Sequence, residues 1–131
     1  MIVLDTSAAV EALLSLPLSR AVEEQLNRVD WQIIAPQLLI VEALQVLRRR
    51  VVAGYTSASD ADEARSLLRA LNIRLYGHEI FADRIWELRD NMSAYDASYV
   101  ALAEASELEL LTTDKRLANA PGHTARIILI D

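Results

Sequence analysis

Apolar positions along the chain fall into short β-rich runs that alternate with longer segments of helical spacing. The runs that predict strands cover residues 2–4, 31–35, 73–76, 108–112 and 126–130. The segments that predict helices cover residues 8–14, 19–29, 37–53, 57–71, 78–89, 94–106 and 114–118. Strands that are separated by helices need crossover connections, and these favour a parallel sheet. The pattern therefore predicts an α/β fold with a central, mainly parallel, five-stranded sheet.

Residues with capping chemistry stand at several of the predicted helix ends. Ser57 and Ser93 each precede a helical segment, where a serine hydroxyl can cap the first turn. Pro36 suits the first turn of the helix that follows it, and Gly54 stands where a helix commonly ends. These residues support the division of the chain into the predicted elements.

Length and composition fit one soluble domain over residues 1–131. At 131 residues and 53% hydrophobic, the chain is long and apolar enough to bury a core. It has no cysteine and two histidines, which excludes a disulfide scaffold, a thiol nucleophile and a cysteine-ligated zinc site. No secretory signal or membrane-length apolar run is visible, so we expect a cytoplasmic protein with no membrane partner.

Charge gives a weaker indication of the partner. There are 13 Lys and Arg residues against 19 Asp and Glu, a formal charge of −6, which argues against a protein that binds nucleic acid over its whole surface. A local basic groove remains compatible with this balance, because 12 of the 13 cations are arginines, which suit bidentate phosphate contacts.

Two acidic residues follow predicted strands, where α/β sheets bind their ligands. Asp5 comes directly after residues 2–4, and Asp114 follows the strand over residues 108–112. An aspartate at such a junction is also a common helix N-cap. Either interpretation holds for each residue alone, and the pair at one sheet edge favours a site.

Two further acids lie within apolar helical segments. Glu42 interrupts a run of apolar residues, where an ionised carboxylate is costly unless it is paired or binds a metal. The alternative is that it reaches solvent or pairs with Arg49 or another arginine. Asp96 lies in the first turn of an Ala-rich helix, where Ser93 already supplies a cap. An acid in that place points towards a cationic ligand.

Together these acids form a candidate site with oxygen ligands only. Mg²⁺ and Mn²⁺ prefer such ligands, and a metal held by carboxylates activates water for attack at phosphorus. The four candidate residues are Asp5, Glu42, Asp96 and Asp114.

Four sequence blocks resemble those of the PIN-domain nucleases, and their order and spacing are similar to those of the VapC toxins of bacterial toxin–antitoxin pairs. The blocks are Val3-Leu-Asp5-Thr-Ser7, Val41-Glu42-Ala-Leu, Ala94-Tyr-Asp96-Ala-Ser-Tyr-Val-Ala-Leu-Ala103 and Leu111-Thr-Thr-Asp114-Lys-Arg-Leu117. The resemblance covers nearly the whole chain. It implies a three-layer α/β/α fold, endoribonuclease activity that depends on Mg²⁺ or Mn²⁺, a homodimer, and a VapB-type antitoxin that blocks the site.

By the same resemblance the four acids are both catalytic and metal-binding, and two hydroxyls, those of Thr6 and Thr112, support them. The chain departs from the family pattern twice, and both departures concern the surroundings of the acids. Val41 stands where many relatives have serine, and residues 91–93 contain no basic residue where many relatives have one.

Other side chains near these sequence blocks can also be given a predicted role. Lys115 and Arg116 follow Asp114 and are candidates for contacts with RNA phosphates. The aromatic residues at 31, 86, 95 and 99 lie in apolar surroundings, and we interpret them as core rather than as stacking platforms.

Two other classes of function compete with a metal-dependent ribonuclease. One is a non-catalytic PIN-like binding module. The other is a phosphoaspartate protein, either a phosphatase or a receiver. Phosphatase chemistry of that type needs a second aspartate two residues after Asp5, where Ser7 stands, and Lys115 fits a receiver poorly.

Overall fold

Five short parallel strands form the centre of the molecule. The computed structural model describes all residues, Met1–Asp131. Its strands are β1 Ile2–Leu4, β2 Ile33–Pro36, β3 Arg74–Tyr76, β4 Leu110–Thr112 and β5 Ile127–Leu129. Its helices are α1 Thr6–Leu13, α2 Ser19–Asn27, α3 Leu38–Val52, α4 Ala58–Ala70, α5 Ala82–Glu87, α6 Ala94–Ser106 and α7 Lys115–Ala118, with a 3₁₀ turn at Glu79–Phe81.

The strand order creates a crevice at the middle of the sheet. The strands run in the order β3-β2-β1-β4-β5, and every neighbouring pair is parallel. From β1 the chain builds outward through β2 and β3 on one side, and later through β4 and β5 on the other. In such sheets ligands bind beyond the carboxyl ends of the strands where the order reverses. That point lies between β1 and β4, the two strands that Asp5 and Asp114 follow.

Helices cover the sheet in two groups, which gives the predicted three-layer α/β/α arrangement. Helices α1, α2, α3 and α4 pack among themselves, and α1 and α3 contact strands. Helix α6 contacts the three central strands and also packs against α5. One core of 25 buried apolar residues lies between these layers, and β1 and β4 are buried along their whole length.

Serine caps determine where two helices begin. The hydroxyl of Ser57 accepts a hydrogen bond from the backbone N–H of Asp60 at 3.0 Å, and that of Ser93 accepts one from Asp96 at 3.1 Å. Both caps agree with the sequence prediction, and α6 spans the predicted residues 94–106. The second cap fixes the start of the helix that carries Asp96.

Most predicted elements differ from the structure by one or two residues at their ends, and Pro36 ends β2 instead of lying in the first turn of α3. Strand β2 begins at residue 33 rather than 31, because Asp30 and Trp31 adopt positive φ angles of 51° and 56°. The N–H of Trp31 bonds back to Leu26 O at 2.9 Å, so this residue ends the preceding helical segment instead of starting the strand. The predicted helix over residues 78–89 is divided into the 3₁₀ turn and the short helix α5.

Candidate active site

The four predicted acids lie at the carboxyl edge of the sheet. Asp5 follows β1, Asp114 follows β4, and Glu42 and Asp96 project from α3 and the first turn of α6. Their charges influence one another: the negative charges of Asp96 and Glu42 help raise the pKa of Asp5, and those of Asp114 and Glu42 help raise the pKa of Asp96. The fold therefore gathers all four residues into one acidic site.

Asp5 is a buried carboxylate that two hydroxyls hold in place. It occupies the N-cap position of α1, yet its side chain makes no capping hydrogen bond. Instead its Oδ2 accepts hydrogen bonds from Ser7 Oγ and from Thr112 Oγ1, each at 2.7 Å. Burial raises the pKa of Asp5, and the two hydrogen bonds partly oppose that rise. The N-cap interpretation is therefore wrong for this residue.

The two hydroxyls are themselves anchored by the backbone after β4. Ser7 Oγ accepts a hydrogen bond from the N–H of Thr113, and Thr112 Oγ1 accepts one from the N–H of Asp114, both at 3.0 Å. The two oxygens lie 3.1 Å apart. These contacts tie the end of β1 to the end of β4. Of the adjacent threonines at positions 112 and 113, Thr112 is the one whose hydroxyl reaches Asp5.

Glu42 is half-buried, and it forms no ion pair with an arginine. Its Oε1 accepts hydrogen bonds from Tyr99 Oη at 2.6 Å and from Thr6 Oγ1 at 2.9 Å. The two hydroxyl oxygens are 2.7 Å apart, so the three groups form a closed triangle. Burial raises the pKa of Tyr99 far above its usual range, and Tyr99 therefore stays a neutral donor. Glu42 is held by hydroxyls and is not paired with Arg49.

Asp5 and Glu42 share a pattern that bears on ligand binding. All side-chain donors to Asp5 reach Oδ2, and all side-chain donors to Glu42 reach Oε1. The second oxygen of each carboxylate accepts no side-chain hydrogen bond. One oxygen therefore orients the group, and the other is left for a ligand.

Asp96 and Asp114 are linked by one guanidinium. Arg116 Nη1 lies 2.9 Å from Asp96 Oδ2, and its Nη2 lies 3.3 Å from Asp114 Oδ2. Asp114 Oδ1 also caps α7 by accepting hydrogen bonds from the N–H groups of Arg116 and Leu117, at 2.9 and 3.3 Å. The N-cap interpretation is thus correct for one oxygen of Asp114, and the other oxygen belongs to the site.

Asp96 Oδ2 is the one buried side-chain polar atom of the protein without a hydrogen-bond partner. The nearby Arg116 nitrogen is close enough for an ion pair, but it does not supply a hydrogen bond of normal geometry to that oxygen. Burial is the largest cause of the raised pKa of Asp96, and the charge of Arg116 only partly opposes it. This oxygen therefore needs a further cationic or hydrogen-bonding partner.

The donor set fits a hard divalent cation in its chemistry. Its ligands are all carboxylate oxygens, one of them is buried without a partner, and the group carries more negative charge than Arg116 offsets. With the side chains as they stand, however, no three acidic or histidine side chains form a group that could hold a metal ion. Binding a metal therefore requires some of these side chains to turn towards one another.

Sequence reasoning missed two residues of the site. Ser7 was assigned no role, and Tyr99 was assigned to the core alone. A signal existed for each. Ser7 lies two residues after Asp5. Tyr99 lies three residues after Asp96, so Asp96 and Tyr99 share one face of α6. Tyr99 is indeed buried, with 1% of its surface exposed, and it is also a donor to Glu42.

Three other residues lie elsewhere than their sequence context indicated. Lys115 Nζ lies 3.9 Å from Asp131 Oδ2 and contacts none of the four acids. The core interpretation of Trp86 and Tyr95 is wrong, because these side chains are 67% and 63% exposed.

No helix of the protein combines the length and the apolar character that crossing a membrane would require.

Comparison with known proteins agrees with this fold. The family model described as PIN domain matches residues 2–122. Ribonuclease VapC12 of Mycobacterium tuberculosis is 36% identical over 130 residues, which are 99% of both chains. Ribonuclease VapC9 of the same organism is 41% identical over 119 residues, which are 91% of this chain and 90% of the relative.

A structural neighbour has the same fold at much lower identity. A chain in the crystal structure of VapBC2 from Rickettsia felis, bound to a DNA fragment from their promoter, superimposes with a TM-score of 0.69 over 100% of both chains, at 13% identity. The three-layer arrangement of one parallel sheet between helices, with carboxylates at its carboxyl edge, is that of an α/β protein of the PIN fold. The chain belongs to the PIN domain family, among the proteins similar to the VapC ribonucleases.

Proposed function

We propose that this protein is an endoribonuclease that depends on Mg²⁺ or Mn²⁺ and acts as the toxin of a toxin–antitoxin pair. The observation that carries the proposal is the arrangement of Asp5 and Glu42, in which hydroxyls hold one oxygen of each carboxylate and leave the other for a ligand. The ribonuclease relatives support the choice of RNA as the substrate. Because RNA is the substrate, we assign its action to the cytoplasm.

In this proposal Asp5, Glu42, Asp96 and Asp114 hold the metal. When bound, the metal activates a water molecule for attack at phosphorus and offsets the charge of the phosphate. The chain's own residues prepare the ligands. Ser7 and Thr112 fix the orientation of Asp5, and Thr6 and Tyr99 fix that of Glu42. Such supporting hydrogen bonds commonly change metal affinity or activity by about 10- to 100-fold.

Cleavage of RNA by the purified protein tests the proposal. We expect cleavage with Mg²⁺ or Mn²⁺, no cleavage in EDTA, and no cleavage by Asp5→Asn or Asp96→Asn. Asp90→Asn, which changes an exposed aspartate outside the site, is the matched control and keeps full activity. Undiminished cleavage in EDTA or by the Asp5 and Asp96 variants would refute the assignment. Folded, metal-binding protein without RNA cleavage would instead favour the non-catalytic binding module.

We further infer a VapB-type antitoxin as partner, a homodimer as the assembly, and one PIN domain over residues 1–131. The structural neighbour is part of a VapBC2 assembly, which supports the partner, and the single core of 25 residues supports one domain. Co-purification with the product of an adjacent small gene tests the partner, and light scattering of the purified chain tests the dimer. A single cooperative unfolding transition in urea is expected of one domain.

A further inference from the structure

Arg116 is the only basic side chain that forms an ion pair with any of the four acids. Its two terminal nitrogens lie against Asp96 Oδ2 and Asp114 Oδ2, at 2.9 and 3.3 Å. These oxygens come from different elements, the first turn of α6 and the junction between β4 and α7. A single positive charge thus links two of the proposed metal ligands.

The backbone of Arg116 is fixed, and its guanidinium is free to move. Its backbone N–H donates to Asp114 Oδ1 at 2.9 Å, which holds the start of α7. Its side chain is 69% exposed and makes no polar contact other than those with Asp96 and Asp114. The guanidinium can therefore leave the two carboxylates without disturbing the packing of the core.

The contact is also incomplete as a partner for Asp96. The Oδ2 atom stays without a hydrogen bond although Arg116 is beside it. A divalent ion carries twice the charge of a guanidinium and coordinates carboxylate oxygens directly, so it is a natural competitor of Arg116 for these two residues.

We propose that Arg116 is a tethered counter-cation, which competes with the divalent metal ion for Asp96 and Asp114 and leaves them when the metal binds. This inference rests on the proposed metal-dependent function. It assigns Arg116 a role in setting the metal concentration at which the site fills, rather than a structural role in α7. Lys115, the neighbouring cation, has no such role, because it pairs with Asp131 instead.

Calorimetric titration with Mn²⁺ tests the proposal on Arg116→Gln and on the matched control Lys115→Gln. Both variants remove one positive charge from an exposed side chain of α7, and both keep a polar stem. We expect Arg116→Gln to bind Mn²⁺ roughly 3- to 10-fold more tightly than the unmodified protein, the scale of one or two exposed ion pairs. We expect Lys115→Gln to differ by less than about 2-fold, and the gain of Arg116→Gln to shrink at high salt.

Each outcome bears on this inference, and the last two also bear on the proposed function. Equal tightening in both variants would show a general charge effect and overturn the inference, as would unchanged affinity. Weaker Mn²⁺ binding by Arg116→Gln would overturn it by showing that Arg116 positions the carboxylates for the metal. Tighter binding without any RNA cleavage would sustain the inference and refute the ribonuclease function. Absence of Mn²⁺ binding to all three proteins would overturn the inference.

Discussion

Removal of the hydroxyl oxygen of Tyr99 separates two roles of this residue, the orientation of Glu42 and the packing of the core. The change Tyr99→Phe keeps the ring, which is 1% exposed, and deletes the hydroxyl that donates to Glu42 Oε1 at 2.6 Å. The carboxylate then keeps only the hydroxyl of Thr6 as a donor. The perturbation therefore acts on the orientation of Glu42 while the apolar contacts of the ring remain.

The magnitude follows from the kind of hydrogen bond that is lost. A hydrogen bond to a charged group contributes about 1.5–3 kcal/mol to the free energy of unfolding, so we expect a loss of about 2 kcal/mol. For a domain of this size that corresponds to a fall of roughly 6–10 °C in Tm. Because Glu42 loses one of its two orienting donors, we expect Mn²⁺ affinity and kcat/KM for RNA each to fall by about 10- to 100-fold.

Urea unfolding, Mn²⁺ titration and RNA cleavage measure these three quantities on the same preparations. Tyr95→Phe is the matched control, since it deletes the same atom from an exposed tyrosine of the same helix, and it should leave stability and Mn²⁺ affinity unchanged. Reduced stability together with unmodified Mn²⁺ affinity would refute the reasoning, because Tyr99 would then serve only the core. Unchanged stability would show that the hydrogen bond contributes nothing to the fold.

Three further predictions concern other polar contacts of buried or half-buried side chains. Thr112→Val removes a donor to Asp5 Oδ2 at 2.7 Å and should lower the free energy of unfolding by about 1–3 kcal/mol in urea, whereas an unchanged midpoint would contradict the contact. Asp5→Asn should raise Tm in EDTA at neutral pH, because burial raises the pKa of Asp5 and the ionised carboxylate therefore destabilises the folded protein at pH values above that pKa. A fall in Tm would contradict this sign. Glu104→Gln should cost about 2–3 kcal/mol at pH 7, because Arg84 and Thr124 lower the pKa of Glu104 from 4.5 to about 2. That difference should be complete above pH 4.5 and vanish as pH falls through 2, and a difference that persists at pH 2 in urea titrations would refute it.

Local signals explain why most of the fold was predictable. Strand and helix positions follow from short-range apolar spacing, and the caps at Ser57 and Ser93 act over three residues. The four acids were recognisable because each is out of place for its local element, after a strand or within an apolar helix. The sheet order, with β1 between β2 and β4, then brings them together.

The rest of the site could not be predicted, because it depends on contacts between residues that are distant in the sequence. The Tyr99 hydroxyl meets a carboxylate 57 positions away, and the N–H bound by Ser7 is 106 positions away. Local spacing places each of these residues beside an acid of the site, but it does not indicate which distant group the side chain contacts. The exposure of Trp86 was likewise hidden, because an aromatic residue among apolar neighbours looks the same in sequence whether its helix is covered or not.

The hydrogen bond between Asp5 and Thr112 has a consequence for when a newly made chain becomes active. It joins positions 107 residues apart, and Asp114 comes later still. Thr112 is the last residue of strand β4, and Asp114 follows that strand. A nascent chain that has not yet reached β4 therefore lacks both residues, so its acidic site is incomplete and Asp5 is without one of its two hydroxyl donors.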